Sequence, residues 1–202
     1  NGSPRREKAT SLIFLKDIDN RLLMAGAVTA TVSVGLKGDN LYPPEVLEQI
    51  RSAAAVVFSF PLYAYTLSGA LTRLLEEIYR SVNLAGAVSP GTASKKAVSE
   101  GSVPAGTGSP APRVYALVNC AFPVPETNNE ALRVMRLFCR RMGWDWRAGI
   151  AIGGGLIVAG TRSIPLVNSK LRKAYRLIVR DIQGGRRNGR PGGETDLGAS
   201  QG

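Results

Sequence analysis

Residues 54–63 read Ala-Ala-Val-Val-Phe-Ser-Phe-Pro-Leu-Tyr, an apolar run that ends in a proline and an aromatic residue. Such a run is typical of a β-strand that is covered on both faces, as in a parallel sheet between two layers of helices. Residues 114–118 have the same character, and residues 148–152 predict a further short strand. Helical patterns alternate with these strands. The sequence therefore predicts a three-layer α/β fold around a doubly wound parallel sheet.

The spacing of apolar residues predicts the helices between these strands. Small and β-branched residues alternate in residues 27–34, which predicts one more short strand. Gly143 follows the fourth helical pattern and is expected to end that helix. Helices are predicted over residues 10–24, 43–52, 68–82, 127–142 and 171–182.

The chain of 202 residues is long enough for one domain with a sizeable core. We expect that domain to span residues 1–185. Residues 84–112 are rich in Gly, Ser, Ala, Thr and Pro without periodicity, so they predict a flexible insertion. Residues 186–202 are polar and glycine-rich and predict a disordered basic tail.

The composition excludes several kinds of chemistry. There is no histidine, which removes Ser-His-Asp triads, Cys-His dyads and imidazole acid–base catalysis. The two cysteines, Cys120 and Cys139, are too few for a disulfide scaffold, a zinc site of cysteines or an iron–sulfur cluster. They fit a reducing compartment, so we expect a cytoplasmic protein. No metal is expected, and no apolar stretch is long enough to span a membrane.

A formal net charge of +11 indicates attraction for anions such as nucleotides or nucleic acid. In an open parallel sheet, ligands bind beyond the carboxyl ends of the strands. The loop before the first helix contains Ser3 and Arg5 and leads to Thr10 and Ser11. Hydroxyl donors, a guanidinium and a helix N-terminus suit a terminal phosphate. The alternative is an ordinary N-cap on a solvated turn.

The other strand-end loops carry aromatic and amide groups. Pro61, Leu62 and Tyr63 offer a rigid turn, backbone amides and a flat wall suited to a planar heterocycle. Tyr63 and Tyr65 are equally compatible with ordinary loop aromatics. Asn119 can both donate and accept hydrogen bonds at a ring edge, or it ties its own loop. The run of residues 153–155, all glycine, permits close approach by a ligand or by another part of the chain.

In combination, these segments resemble the NAD(P)H-dependent FMN reductase group of flavodoxin-like proteins. The resemblance rests on Asn-Gly-Ser-Pro-Arg at 1–5, Val-Val-Phe-Ser-Phe-Pro-Leu-Tyr at 56–63, Ala-Leu-Val-Asn-Cys at 116–120 and the glycines at 153–155. It covers nearly all of residues 1–183 except the insertion, and it implies strand order 2-1-3-4-5. It implies that the phosphate of FMN is held by Ser3, Arg5, Thr10 and Ser11. The ring is expected beside Pro61, Leu62, Tyr63, Asn119, Cys120, Phe122, Gly153 and Gly154.

The sequence departs from that family in three places. The family has a central β-strand before the Asn-Gly-Ser-Pro loop, and this chain lacks it, so we expect a fragment whose strand at 27–34 has lost its neighbour. Ala9 stands where the family often has a polar phosphate ligand. The cysteine cluster of the iron–sulfur branch is absent, so no cluster is expected.

The resemblance implies an FMN-dependent oxidoreductase that passes hydride from NAD(P)H to the flavin and on to an acceptor such as a quinone or a free flavin. No side-chain acid or base is then required as a catalytic residue. A homodimer is expected. The alternatives are an electron-relay or protein-binding module without reductase activity and, less favoured, nucleic-acid binding. The last would use the basic tail and Arg133, Arg136, Arg140 and Arg141, which are compatible with a solvated helix face.

Overall fold

Three parallel strands form a single sheet in the described part of the computed structural model, which comprises residues 1–34, 42–87, 110–161, 163–164 and 168–187. The strands are β1 (Ala55–Pro61), β2 (Arg113–Asn119) and β3 (Asp145–Ile152), and they lie in the order β1-β2-β3. The described residues also form six α-helices: α1 (Thr10–Met24), α2 (Pro44–Ser52), α3 (Gly69–Ala87), α4 (Asn129–Met142), α5 (Gly155–Gly160) and α6 (Ser169–Arg187). Two short 3-10 helices span Arg6–Lys8 and Pro125–Asn128.

Side chains alternate across the sheet and define two cores. On one face, Val114, Ala116 and Val118 of β2 belong to a cluster that includes residues of α3 and α4. On the other face, Tyr115 and Leu117 belong to a cluster that includes residues of α1 and α6. The sheet is therefore covered on both sides, which explains why β2 is apolar throughout. The predicted α/β class is confirmed, and the architecture is compatible with a flavodoxin-like fold.

Several predicted boundaries are confirmed closely. α1 spans the predicted residues 10–24. α4 ends at Met142 as predicted, and its C-cap Gly143 has a φ of +66°. There the amide of Trp144 donates to the carbonyl of Cys139, as expected for a glycine-capped helix end. α3 continues to Ala87 and α6 to Arg187, beyond the predicted ends. Most of the predicted insertion and tail, residues 88–109 and 188–202, lies outside the described residues.

The strand predicted for residues 27–34 is wrong, because this segment forms no regular element. At its start, the amide of Ala27 donates to Leu22 O in α1 (3.0 Å). At its end, the Asn1 nitrogen donates to Val32 O (2.7 Å), and the amide of Val34 donates to Asn1 O (2.9 Å). An extended segment becomes a strand only when a neighbour pairs along its length. The order of the remaining strands in a 2-1-3-4-5 sheet stays a prediction.

A polar network fastens α6 to the amino ends of β2 and β3. Arg147 donates two hydrogen bonds to the Asp181 carboxylate, both 2.9 Å, and the Tyr115 hydroxyl donates to the same carboxylate. The bonds from Arg147 hold the pKa of Asp181 below its usual value. Arg113 donates to the carbonyls of Asp181 and Ile182. This network lies at the end of the sheet opposite the strand-end loops and holds the helix in place.

Candidate functional site

The strand-end loops meet at one edge of the sheet. Pro61, Asn119 and Ile152 are paired across the three strands, so the strands end level with one another. The first loop joins them because the amide of Gly2 donates to Ser59 O (2.7 Å). A Cβ on Gly2 would lie 2.8 Å from that of Phe60, so only glycine permits this approach. All twelve predicted ligand residues thus lie in loops at this edge or in the first turn of α1.

The side chain of Asn1 organises the first loop, a role that the sequence did not reveal. Its Oδ1 accepts hydrogen bonds from the Ser11 hydroxyl (2.8 Å) and from the amide of Ser3 (3.3 Å). Its Nδ2 donates to Arg6 O (3.1 Å). Ser3 and Ser11 are fully buried by these contacts. Both serines therefore shape the loop from within.

The outer surface of the same loop presents unused donors. Arg5 is exposed and Thr10, the first residue of α1, is half-buried. Among the described residues, neither the Arg5 guanidinium nor the Thr10 hydroxyl has a hydrogen-bond partner. The N-terminus of α1 adds backbone N–H groups and the positive end of its dipole. These groups together can hold an anion such as a phosphate.

The second loop is a strained turn. The amides of Tyr63 and Thr66 each donate to the carbonyl of the other residue, at 2.9 and 2.8 Å. Ala64 and Tyr65 between them have φ values of +44° and +63°, a left-handed conformation that favours glycine or asparagine. The amide of Leu62 donates to Asn119 O (2.8 Å). The turn is therefore fixed to β2 at its base and directs Tyr65 outward.

Tyr65 and Phe122 join the second and third loops. Their rings are stacked at 6.2 Å between centroids with an interplanar angle of 11°. Both side chains are more than half exposed, at 66% and 53%. The pair forms a flat aromatic surface at the carboxyl edge. Phe122 was predicted to lie there, whereas the sequence left Tyr65 open because a contact between distant loops has no local signal.

Asn119, at the end of β2, has a buried polar side chain. It is 6% exposed, and its Oδ1 has no hydrogen-bond partner among the described residues. A buried acceptor without a partner is costly, so a donor from a ligand or a water is expected there. Cys120 beside it is buried, and its thiol donates to Phe122 O (3.4 Å). The Asn128 amide contacts the same sulfur at 3.4 Å and fixes this loop.

The three consecutive glycines serve close packing within the chain. A Cβ on Gly153 would lie 2.3 Å from Pro123 O, and one on Gly155 would lie 2.9 Å from the Asn119 amide nitrogen. Gly154 has a φ of +57° and donates its amide to Phe122 O (2.5 Å). The glycines therefore bring the start of α5 against the third loop, beside Asn119.

The described residues contain no group of three or more His, Cys, Asp or Glu side chains that could hold a metal ion. No helix found among them is long and apolar enough to cross a membrane.

Comparison with known proteins adds one similar fold. No protein-family model matches the chain, and no curated protein matches it. A solved structure described as a flavone reductase aligns with a TM-score of 0.57 over 92% of this chain, at 12% sequence identity. This chain spans 62% of the length of that protein. At this identity the likeness shows a shared α/β fold.

Proposed function

We propose that this chain is a flavin-dependent oxidoreductase that binds FMN at the carboxyl edge of the sheet and takes hydride from NAD(P)H. The observation that supports the proposal is the convergence at that edge of a loop with unengaged donors, a stacked aromatic pair and a buried amide oxygen that has no partner among the described residues. The name of the structural neighbour, a flavone reductase, agrees with a reductase. The sequence resemblance to FMN reductases covers the same loops.

The phosphate is assigned to the outer face of the first loop. Arg5 and Thr10 have unengaged donors there, and the first N–H groups of α1 lie beside them. Ser3 and Ser11 are buried and engaged with Asn1 and Arg5, so we assign them the task of positioning the loop. Because Ala9 has no polar side chain with which to bind the phosphate, we expect Arg5 to contribute more of the phosphate affinity.

The ring is assigned to the second and third loops. The unpartnered Oδ1 of Asn119 would accept a hydrogen bond from a ring N–H. Tyr63, Tyr65 and Phe122 supply flat apolar surface nearby. Pro61 is paired with Asn119, and the amide of Leu62 donates to Asn119 O. Cys120 follows Asn119 in the chain, and Gly153 and Gly154 form the turn after β3 at the same edge.

Bound FMN would supply hydride and electron transfer, and the protein's part is to bind and orient the reactants. The absence of histidine is consistent with this division, because no imidazole acid or base is required. The net charge of +11 favours capture of anionic FMN and NAD(P)H. A homodimer is part of the proposal, and sedimentation velocity tests it.

The experiment is steady-state oxidation of NADH and NADPH by the FMN-loaded protein, with a quinone as acceptor. Asn119→Ala is compared with Asn129→Ala, an exposed amide at the start of α4. Oxidation that depends on FMN and falls at least about tenfold in Asn119→Ala alone is the expected result. Flavin binding without NAD(P)H oxidation would replace the reductase with an electron-relay module. A protein that binds no flavin would leave the protein-binding alternative.

A further inference from the structure

The outer surface of α4 carries two exposed aliphatic side chains in the middle of the helix. Val134 is 42% exposed and Leu137 is 53% exposed. The opposite side of the helix is buried in the core through Ala131, Met135 and Cys139. A single aliphatic side chain at a protein surface is ordinary, so the residues around Leu137 decide what this one does. The surface lies outside the strand-end loops of the proposed flavin site.

Arginines surround Leu137 on the helix surface. On an α-helix, the side chains three and four positions away are the nearest neighbours, with Cβ atoms about 5–6 Å apart. For Leu137 those positions hold Arg133, Val134, Arg140 and Arg141, all of them exposed. α4 has four arginines and one acidic residue, Glu130. This α4 surface is therefore strongly positive around an apolar centre.

The arginines of the α4 surface are placed to bind further carboxylates. The guanidinium of Arg141 lies 5.3 Å from the centre of the Tyr79 ring of α3, which restricts its motion. A side chain that is already restricted loses less entropy when a partner binds. Arg133 pairs with Glu130 at 3.6 Å, and both side chains are exposed. Such a pair contributes little, so Arg133 can bind a second carboxylate at small cost.

We propose that the α4 surface binds an acidic amphipathic helix of a partner protein, with an apolar side chain against Leu137 and carboxylates against the surrounding arginines. Protein interfaces combine an apolar centre that loses its water with a charged rim that stays hydrated. Arginine binds a carboxylate through two parallel hydrogen bonds. The partner helix must therefore carry Asp or Glu three or four residues on either side of a large apolar residue.

Other occupants match this surface less well. Phosphate groups of a nucleic acid would pair with the arginines but would leave Leu137 and Val134 against charged oxygen atoms. A lipid surface needs a broad apolar face, and the broad apolar face of α4 is already packed in the core. In a two-fold pairing with a second copy, arginines would lie against arginines, which is repulsive.

Fluorescence anisotropy with a labelled peptide tests the proposal on the full chain, without flavin. The probe is three repeats of Glu-Leu-Glu-Ala-Leu-Glu-Glu, which places leucines along one face of an acidic helix. Its control has alanine in place of each leucine, so charge and helix propensity are retained. The leucine peptide should bind with a Kd below about 100 μM in about 0.1 M NaCl, and the alanine peptide at least about fivefold more weakly.

Two pairs of exposed variants locate the binding site. Leu137→Ala should weaken binding of the leucine peptide at least about fivefold, whereas Leu156→Ala, at a leucine of α5 that is 75% exposed, should not change it. Arg140→Ala should weaken binding about threefold or more. Arg176→Ala removes an exposed arginine of α6 and should change it by less than about twofold.

Equal affinities for the two peptides, or binding that Leu137→Ala and Arg140→Ala leave unchanged, would overturn the proposal. So would a leucine peptide that does not bind at about 1 mM. Tighter binding of duplex DNA, or of vesicles of phosphatidylcholine and phosphatidylglycerol, that both variants weaken would assign the surface to a nucleic acid or a membrane instead. Self-association that Leu137→Ala abolishes would assign it to a second copy. None of these readouts depends on FMN, so their failure is distinguishable from failure of the proposed function.

Discussion

Replacing Arg5 by alanine should weaken FMN binding by about tenfold. The Arg5 side chain is exposed and has no hydrogen-bond partner among the described residues, so its removal leaves the fold intact. A charge-assisted hydrogen bond to a phosphate contributes about 1.5–3 kcal/mol. Because Arg5 is exposed, solvent screening places the loss near the lower end of that range, and 1.4 kcal/mol corresponds to a tenfold change in Kd.

Flavin fluorescence titration measures this effect, with riboflavin as the internal control because it has the same ring without the phosphate. Arg5→Ala should leave riboflavin affinity unchanged. Lys8→Ala removes the same charge from an exposed neighbour in the same loop and should change FMN affinity by less than about threefold. If riboflavin binding weakens as much as FMN binding, or if FMN binding does not change, Arg5 is not the phosphate ligand.

Two further predictions concern stability. Ala64→Gly should raise the free energy of unfolding by about 0.5 kcal/mol, because glycine adopts the φ of +44° without strain. The control Ala121→Gly, at a residue without a positive φ, should lower the free energy of unfolding, and denaturant unfolding measures both. Asp181→Ala should lower the free energy of unfolding by about 1–3 kcal/mol, since it removes both 2.9 Å hydrogen bonds of Arg147 and leaves the Asp145 carboxylate at 3.7 Å. Glu130→Ala, which removes an exposed ion pair, should lower it by less than about 0.5 kcal/mol.

The elements that the sequence predicted well are those with strong local patterns. α1 has Leu12, Leu15, Ile18 and Leu22 at helical spacing, and all four are buried. β1 and β2 are continuous apolar runs because both of their faces are covered. Gly143 caps the C-terminus of α4 as predicted, because the residue after the last helical turn adopts the left-handed backbone conformation that glycine favours.

The features that the sequence predicted wrongly or missed are those without a reliable local pattern. Residues 27–34 carry a strand-like pattern, but a strand also needs a neighbour, and hydrogen bonds to Asn1 at one end do not supply it. α5 was missed because glycine-rich residues 153–160 give no helical signal. The stacking of Tyr65 on Phe122 and the loop-building role of Asn1 join residues far apart in the chain or in different elements, so no short pattern reveals them.

The proposed function depends on FMN binding at the carboxyl edge of the sheet. An NMR titration of the amide signals with FMN tests it most directly. The largest shifts should fall on Arg5, Thr10, Leu62, Asn119 and Cys120, with little change at Arg147 and Asp181 at the opposite end of the sheet. Shifts confined to that opposite end or to the arginines of α4, or a spectrum that FMN leaves unchanged, would contradict it.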